Sequence, residues 1–384
     1  MRSGTYQTHP QVARVLFGQA AEEAIEPELD RLGASRVLVA TGRTVSGTSY
    51  FRALTARLGG RLVDVFTGFS ANTPITSVLE ATEVARTQKA DAILAVGGGS
   101  VLDGAKVTSV ALRRGFKSAE DLLAGHRGIA RQDSSSALRG LVAVPTTLAG
   151  AEFTTFAGVS DPAQGRKYPV DDPEMAPDAV ILDPRATLDT PAELLFPTGI
   201  RAVDHCVEAY CSARPSPYAD ALALEGLTYL SEFLPRVVSK PDSLEARSGC
   251  LVGAWLAISA VAAGVPVGAS HAIGRVIAAL CGVPQGQTSC ILLPAALAWN
   301  AAHGDSRQAR IARLLGGESA ATGVAGLVAR LGQPARLREV GVAASRFPEI
   351  AERSLEMLQH HSVSGNPRPV RTAGDVIEIL ELAA

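Results

Sequence analysis

Two patterns of apolar residues divide this chain. In the first half, short apolar runs stand at Arg36-Val37-Leu38-Val39-Ala40, Leu62-Val63-Asp64-Val65-Phe66, Ala92-Ile93-Leu94-Ala95-Val96 and Leu141-Val142-Ala143-Val144. Each has the length and composition of a buried strand. Between them, Tyr50 to Leu58, Ile75 to Lys89 and Val101 to Leu112 carry apolar residues at helical spacing. Strands alternating with helices predict a parallel sheet covered on both faces, with ligands at the carboxyl ends of its strands. The pattern changes near Asp183-Pro184. From Pro191 onward strand-like runs almost vanish and helical spacing takes over, interrupted at Gly264-Val265-Pro266, Gly282-Val283-Pro284 and Gly332-Gln333-Pro334. The reading is an α/β domain over 1–185 and an all-helical domain over 186–384. The polar stretch Lys117 to Arg139 reads as an exposed excursion or mobile loop.

Composition narrows the function classes. The 384 residues are 47% apolar and 19% charged with a net charge of −2. That suits a packed globular enzyme acting on a small molecule and gives no general reason to expect nucleic acid. The opening Met1-Arg2-Ser3-Gly4-Thr5 has no apolar signal core, and the richest apolar window, Leu251 to Val267, is broken by glycine and proline. A buried helix, no membrane contact and a cytoplasmic location are the expectations. Five cysteines without a C-x-x-C pair fit reduced thiols.

The first chemical signal is Gly97-Gly98-Gly99-Ser100, between a strand candidate and a helix candidate. Glycines let backbone approach an anion, and the free N–H groups of a helix start point at it. Asp103 and Lys106 follow on one helical face. Pro145-Thr146-Thr147 ends the next strand, at the same edge of the sheet.

Together these segments resemble the iron-containing alcohol dehydrogenase superfamily. The resemblance rests on Gly97-Gly98-Gly99-Ser100-x-x-Asp103-x-x-Lys106, on Pro145 to Glu152, on Gly199 to Tyr210, on Ser270-His271-Ala272-Ile273-Gly274, and on Val283-Pro284-Gln285-Gly286, in that order. The Thr146-Thr147-Leu148-Ala149-Gly150 spacing and Asn366-Pro367-Arg368-Pro369 are similar to the maleylacetate reductase branch. The polar excursion is closer to ordinary alcohol dehydrogenases. The resemblance implies the dehydroquinate synthase-like architecture, a dinucleotide-binding α/β domain and a helical domain with a cleft between them. It implies a nicotinamide cofactor, NAD(P)H, held by Gly97, Gly98, Gly99 and Ser100, with Asp103, Thr146 and Thr147 nearby, Leu148 walling the adenosine side, and a homodimer.

Metal-dependent relatives hold a divalent ion with one aspartate and three histidines. The resemblance maps two of the histidines onto His205 and His271, but the aspartate onto Arg201 and the last histidine onto Gln285. A guanidinium has no lone pair to give, and a carboxamide oxygen is a poor transition-metal ligand. Asp204 lies about 100° around the helix from His205, so rebuilding the site from that pair requires a distorted helix. No tightly bound metal is expected. The leading expectation is a metal-independent NAD(P)H-dependent reductase. It acts on a carbonyl or conjugated double bond of a small carboxylate-bearing substrate. Arg201, Gln285 and Lys167 are the candidate substrate contacts, and His271 or His205 handles the proton. An ion pair of Arg201 with Asp204 or Glu208 is the competing account of that arginine. Arg43, after the first strand and without an acid beside it, predicts that NADPH is tolerated. A metal-dependent dehydrogenase with rebuilt ligands, and a non-redox or nucleotide-binding protein on the same scaffold, stay open. His126, His303, His360 and His361 carry no pattern and read as surface residues.

Overall fold

Six of the strands build one parallel sheet. They are β1 (Val15–Phe17), β2 (Val37–Thr41), β3 (Leu62–Phe66), β4 (Ala92–Gly97), β5 (Gly140–Pro145) and β8 (Ala179–Leu182), in the order β1-β8-β5-β4-β2-β3. The remaining two, β6 (Phe156–Asp161) and β7 (Arg166–Asp171), pair antiparallel as a separate hairpin. The structure, a computed structural model, describes residues 12–125, 137–161, 166–304 and 306–384.

The four strands expected from their apolar runs are β2 to β5. β1 and β8 are three and four residues long, too short for a periodicity. The β6–β7 hairpin is half polar, because part of it faces water. Every residue of β2, β4, β5 and β8 is buried, as a parallel sheet covered on both faces requires. Alternation in β2 divides the layers. Val37 and Val39 pack with Ile25 and Leu29 of α1 (Ala21–Leu32) and with Leu54 of α3 (Ser49–Ala56), and Leu38 packs with Ala85 of α4 (Ile75–Thr87). The short helix α2 (Arg43–Ser46) follows β2, and α5 (Gly99–Arg114) follows β4. The chain runs from β2 toward β3 on one side and from β4 toward β5 on the other. The adjacent ends of β2 and β4 are therefore the switch point, where doubly wound sheets bind ligands. The polar excursion begins with α6 (Ala119–Gly125). Residues 126–136, with His126 and the middle of that excursion, lie outside the described residues.

The rest of the chain is helical: α7 (Ala192–Cys211), α8 (Pro217–Ser239), α9 (Leu244–Ala262), α10 (Ala269–Cys281), α11 (Gln285–Ala301), α12 (Gln308–Leu315), α13 (Ala320–Arg330), α14 (Phe347–Leu358) and α15 (Ala373–Leu382). Among the described residues, 12–190 form one compact unit and 191–384 the other. The helical unit has its own core, with Ile273 and Ile277 of α10, Ile291 and Leu292 of α11, Ile350 of α14 and Ile379 of α15. Helix α9 is long and apolar enough to cross a membrane by composition, and most of it is buried inside this unit. All five cysteines are free.

From Leu195 to Cys211, α7 is buried at every position but Thr198. A helix without a solvent face must satisfy its polar and charged side chains internally. Four of them, Arg201, Asp204, His205 and Glu208, lie within eight residues. Gly286, at the start of α11, allows the approach that completes their surroundings. A Cβ there would come within 2.7 Å of the Pro197 carbonyl carbon.

Candidate active site

In the α/β unit, β4 runs into the glycine turn and the turn into a 16-residue helix with no acid in its first turn. A Cβ on Gly97 would come within 2.7 Å of Val101, and one on Gly98 within 3.0 Å of Thr147. The turn thus needs glycine, and it leads into the free N–H groups of a helix start. Thr146 N–H donates to the Gly97 carbonyl at 3.0 Å, and the Thr41 hydroxyl donates to the Val96 carbonyl at 2.8 Å. These bonds lock the ends of β2, β4 and β5 together. The residues present suit a dinucleotide phosphate. Arg43 is exposed at the head of α2, Thr146 and Thr147 are buried, and Leu148 is turned fully into the core.

Asp103 and Lys106 form an ion pair of 3.0 Å, but not a surface one. Lys106 is 1% exposed. Its ammonium donates to the Ala151 and Phe156 carbonyls at 2.7 and 2.5 Å and to the Thr154 hydroxyl at 3.0 Å. Asp103 also accepts the Gly158 N–H at 3.2 Å. The pair therefore ties α5 to the segment after the Thr-Thr turn.

Glu152 lies in that segment, buried, with Oε2 unpartnered. Burial pushes its carboxyl up to about 7; Lys106 pulls it down and Asp103 pushes it further up. An acid raised in the folded state weakens the fold as pH climbs from its ordinary 4.5 to that value, because only the unfolded chain then ionises freely. Glu152→Gln should match wild type near pH 4.5 and exceed its stability by up to about 3 kcal/mol above pH 7. Urea unfolding at the two pH values checks this; a difference independent of pH would refute it.

The helical unit holds the second cluster. Gly268 N–H and Ser270 N–H, at the start of α10, donate to Glu208 at 2.7 and 2.8 Å. Glu208 thus caps one helix from the side of another. His271 presents Nδ1 to Glu208 Oε2 at 2.7 Å. An ionised carboxylate only accepts, so Nδ1 carries the proton and Nε2 is left as the working atom. That atom is buried without a partner, as is Nδ1 of His205, whose ring stands 4.9 Å from that of His271. Asp204 accepts the Ser289 and Ser270 hydroxyls at 2.6 and 2.9 Å on Oδ2. Its Oδ1 is 3.3 Å from His271 Nδ1 but receives no directed hydrogen bond, since that N–H is aimed at Glu208.

Arg201 closes the cluster. It donates to Ser289 at 3.1 Å, reaches Gln285 Oε1 at 3.5 Å and stands 3.7 Å from Asp204 Oδ2. The ion pair on its own helix, the competing account of this arginine, is thus present but long, and Gln285 lies beside Arg201. Burial pulls the guanidinium below its ordinary value and the two carboxylates pull back. Burial pushes Asp204 up, but His271, Arg201 and Ser289 outweigh it and hold the carboxylate low. Burial, His271, Arg201 and Arg275 push His205 well below the usual imidazole range, so it is neutral at pH 7.

As a metal ligand, Asp204 was weighed from the sequence only with His205, which missed the grouping that forms. Asp204 and Glu208 are four apart on one face of an undistorted helix, and with His271 they place three ligand-type atoms within 4.8 Å of one another. A divalent ion does not fit this set as built. Glu208 is engaged by backbone N–H groups, His271 Nδ1 carries a proton, and a permanent cation lies beside Asp204. Arg275 was also missed. It stands one helical turn beyond His271, bonded to the Ser362 hydroxyl at 3.4 Å, and that four-residue spacing was its only signal. Lys167 belongs to β7, and its side chain lies outside the described atoms. His303, His360 and His361 are exposed.

Comparison with known proteins agrees with both halves. The family described as iron-containing alcohol dehydrogenase matches residues 12–184, and the C-terminal part of the Fe-containing alcohol dehydrogenase family matches 196–384. A maleylacetate reductase of Rhizobium sp. (strain MTP-10005) is 31% identical over 352 residues, 92% of this chain and 91% of that protein. The crystal structure of maleylacetate reductase from Rhizobium sp. strain MTP-10005 superimposes with a TM-score of 0.83 at 30% identity, covering 100% of this chain and 98% of that one. A 1,3-propanediol oxidoreductase structure does so with a TM-score of 0.89 at 25% identity, covering 99% and 100%. The α/β and helical halves, the glycine turn and these matches together place the chain in the iron-containing alcohol dehydrogenase family of NAD(P)-dependent oxidoreductases.

Proposed function

We propose that this member is a metal-independent NAD(P)H-dependent reductase of a small carboxylate-bearing substrate, acting on a carbonyl or a conjugated double bond as a maleylacetate reductase does. The observation that carries the reading is one buried cluster holding both a guanidinium, Arg201, and a bare imidazole nitrogen, Nε2 of His271. The cofactor, when bound at residues 97–100 with Thr146 and Thr147, supplies a hydride. Reduction then needs a positive group for the developing oxyanion or substrate carboxylate, and one proton. Arg201 donates N–H bonds to the anionic group, and Gln285 beside it adds a carboxamide. His271 takes a proton from solvent onto its bare Nε2 and passes that proton to the substrate as the hydride arrives, returning to the Nδ1–H tautomer. Glu208 fixes its tautomer and stabilises the imidazolium when the proton returns. His205, neutral and unpartnered at Nδ1, orients substrate through a hydrogen bond. Residues 1–185 serve the dinucleotide and 186–384 the substrate. Arg43, exposed and without a neighbouring acid, supports use of NADPH as well as NADH.

A panel of aldehydes, 2-oxo acids and maleylacetate tests the reading, with nicotinamide absorbance as the signal. Carboxylate-bearing members should be reduced, at rates unchanged after dialysis against EDTA, by protein carrying substoichiometric metal. Stoichiometric zinc or iron with chelator-sensitive turnover would overturn metal independence, and cofactor binding without turnover of any member would overturn the redox reading.

A further inference from the structure

We infer that Arg201 is a tethered cation, holding the place a divalent ion would otherwise take among Asp204, Glu208, His205 and His271. The inference deepens the metal-free reading and rests on it. Three observations carry it. Oδ1 of Asp204 and Nε2 of His271 are buried lone-pair atoms without a hydrogen-bond partner, and Nδ1 of His205 is a third buried atom without one. They occur in one neighbourhood, since the two rings are 4.9 Å apart and Asp204 is 3.3 Å from His271. Atoms of this kind, left dry and unpaired, are costly unless positive charge is supplied. The guanidinium brings it to the cluster, 3.7 Å from the other oxygen of Asp204, Oδ2, while its own N–H groups go to Ser289 and Gln285.

This geometry explains why Arg201 tolerates burial at 8% exposure with only a long ion pair. It balances a cluster rather than one carboxylate. It also makes Arg201 the one obstacle to a metal that is a fixed charge, whereas the His271 Nδ1 proton and the N–H bonds to Glu208 are exchangeable. A second cation in the cluster would face Arg201 at a few ångströms in a dry interior, where like charges repel strongly. With the guanidinium removed, zinc can displace the His271 proton and compete for the carboxylates of Asp204 and Glu208, the ligand types that a borderline ion accepts.

The test compares wild type, Arg201→Ala, Arg201→Gln and Arg201→Lys, each purified metal-free and titrated with zinc chloride. Metal content after gel filtration and the melting temperature are read. Arg201→Ala and Arg201→Gln should retain about one zinc per chain and melt about 5 °C or more higher at a hundredfold excess of zinc over its Kd. Wild type and Arg201→Lys should retain none and show no such rise. If the neutral variants fold only when zinc is present, the inference is supported. If neither takes up zinc, folded or refolded with it, the inference fails while the metal-free reading stands. Stoichiometric zinc on wild type overturns both.

Discussion

Replacing His271 by glutamine should lower kcat on the best substrate of the panel by about 10²–10⁴, the usual worth of a positioned acid or base. KM should change little, because the proton is transferred only in the transition state. The physical reason for singling out this imidazole is its environment. Glu208 takes Nδ1 at 2.7 Å and leaves Nε2 free in a dry cluster, whereas burial and its neighbours keep His205 neutral. His205→Asn should accordingly cost about tenfold or less in kcat, the effect of a lost orienting bond. Nicotinamide fluorescence should report unchanged cofactor affinity in both, since the phosphate-binding turn belongs to the other unit. A His271→Gln enzyme within threefold of wild type would remove this residue from the chemistry. Equal losses at the two histidines would assign the proton to the pair.

Lys106→Met should destabilise the α/β unit by about 3–5 kcal/mol, the cost of breaking a buried ion pair by removing one partner. The ammonium is 1% exposed and satisfies the Ala151 and Phe156 carbonyls and the Thr154 hydroxyl as well as Asp103. Methionine fills the volume and satisfies none of them. Asp103→Asn added to Lys106→Met should cost less than the sum of the two single changes, because the second mutation removes the charge the first left unpaired. Guanidinium unfolding of the three variants measures this. A loss under 1 kcal/mol for Lys106→Met would mean the ammonium is solvated in the protein and the ion pair is ornamental.

The fold was legible wherever a strand was long and buried on both faces. The apolar runs of β2, β4 and β5 are continuous because helices cover the sheet on each side, and the glycine turn follows from its place between strand and helix. β1, β8 and the β6–β7 hairpin escaped because short or half-solvated strands carry no decisive period. The chain alone also identified the chemistry of single positions. Arg201 cannot ligate a metal and Gln285 is a poor ligand for one, whatever surrounds them.

What sequence spacing left undecided was how those side chains meet. His205 and His271 were equivalent candidates from the chain; the neighbours brought by α10 and α11 separate them, giving one a carboxylate partner and leaving the other neutral among cations. Asp204 and Glu208 were legible only as ion-pair partners for an arginine on the same helix. Burial of α7 along nearly its whole length turned them into an internal network that caps α10 and orients an imidazole. Spacing placed Lys106 on one helical face with Asp103, and only the segment folded over it after β5 made that pair a buried one. Residue type sets which bonds a side chain can form. Burial and the atoms contributed by distant segments set which of them it must form, and only tertiary structure supplies those.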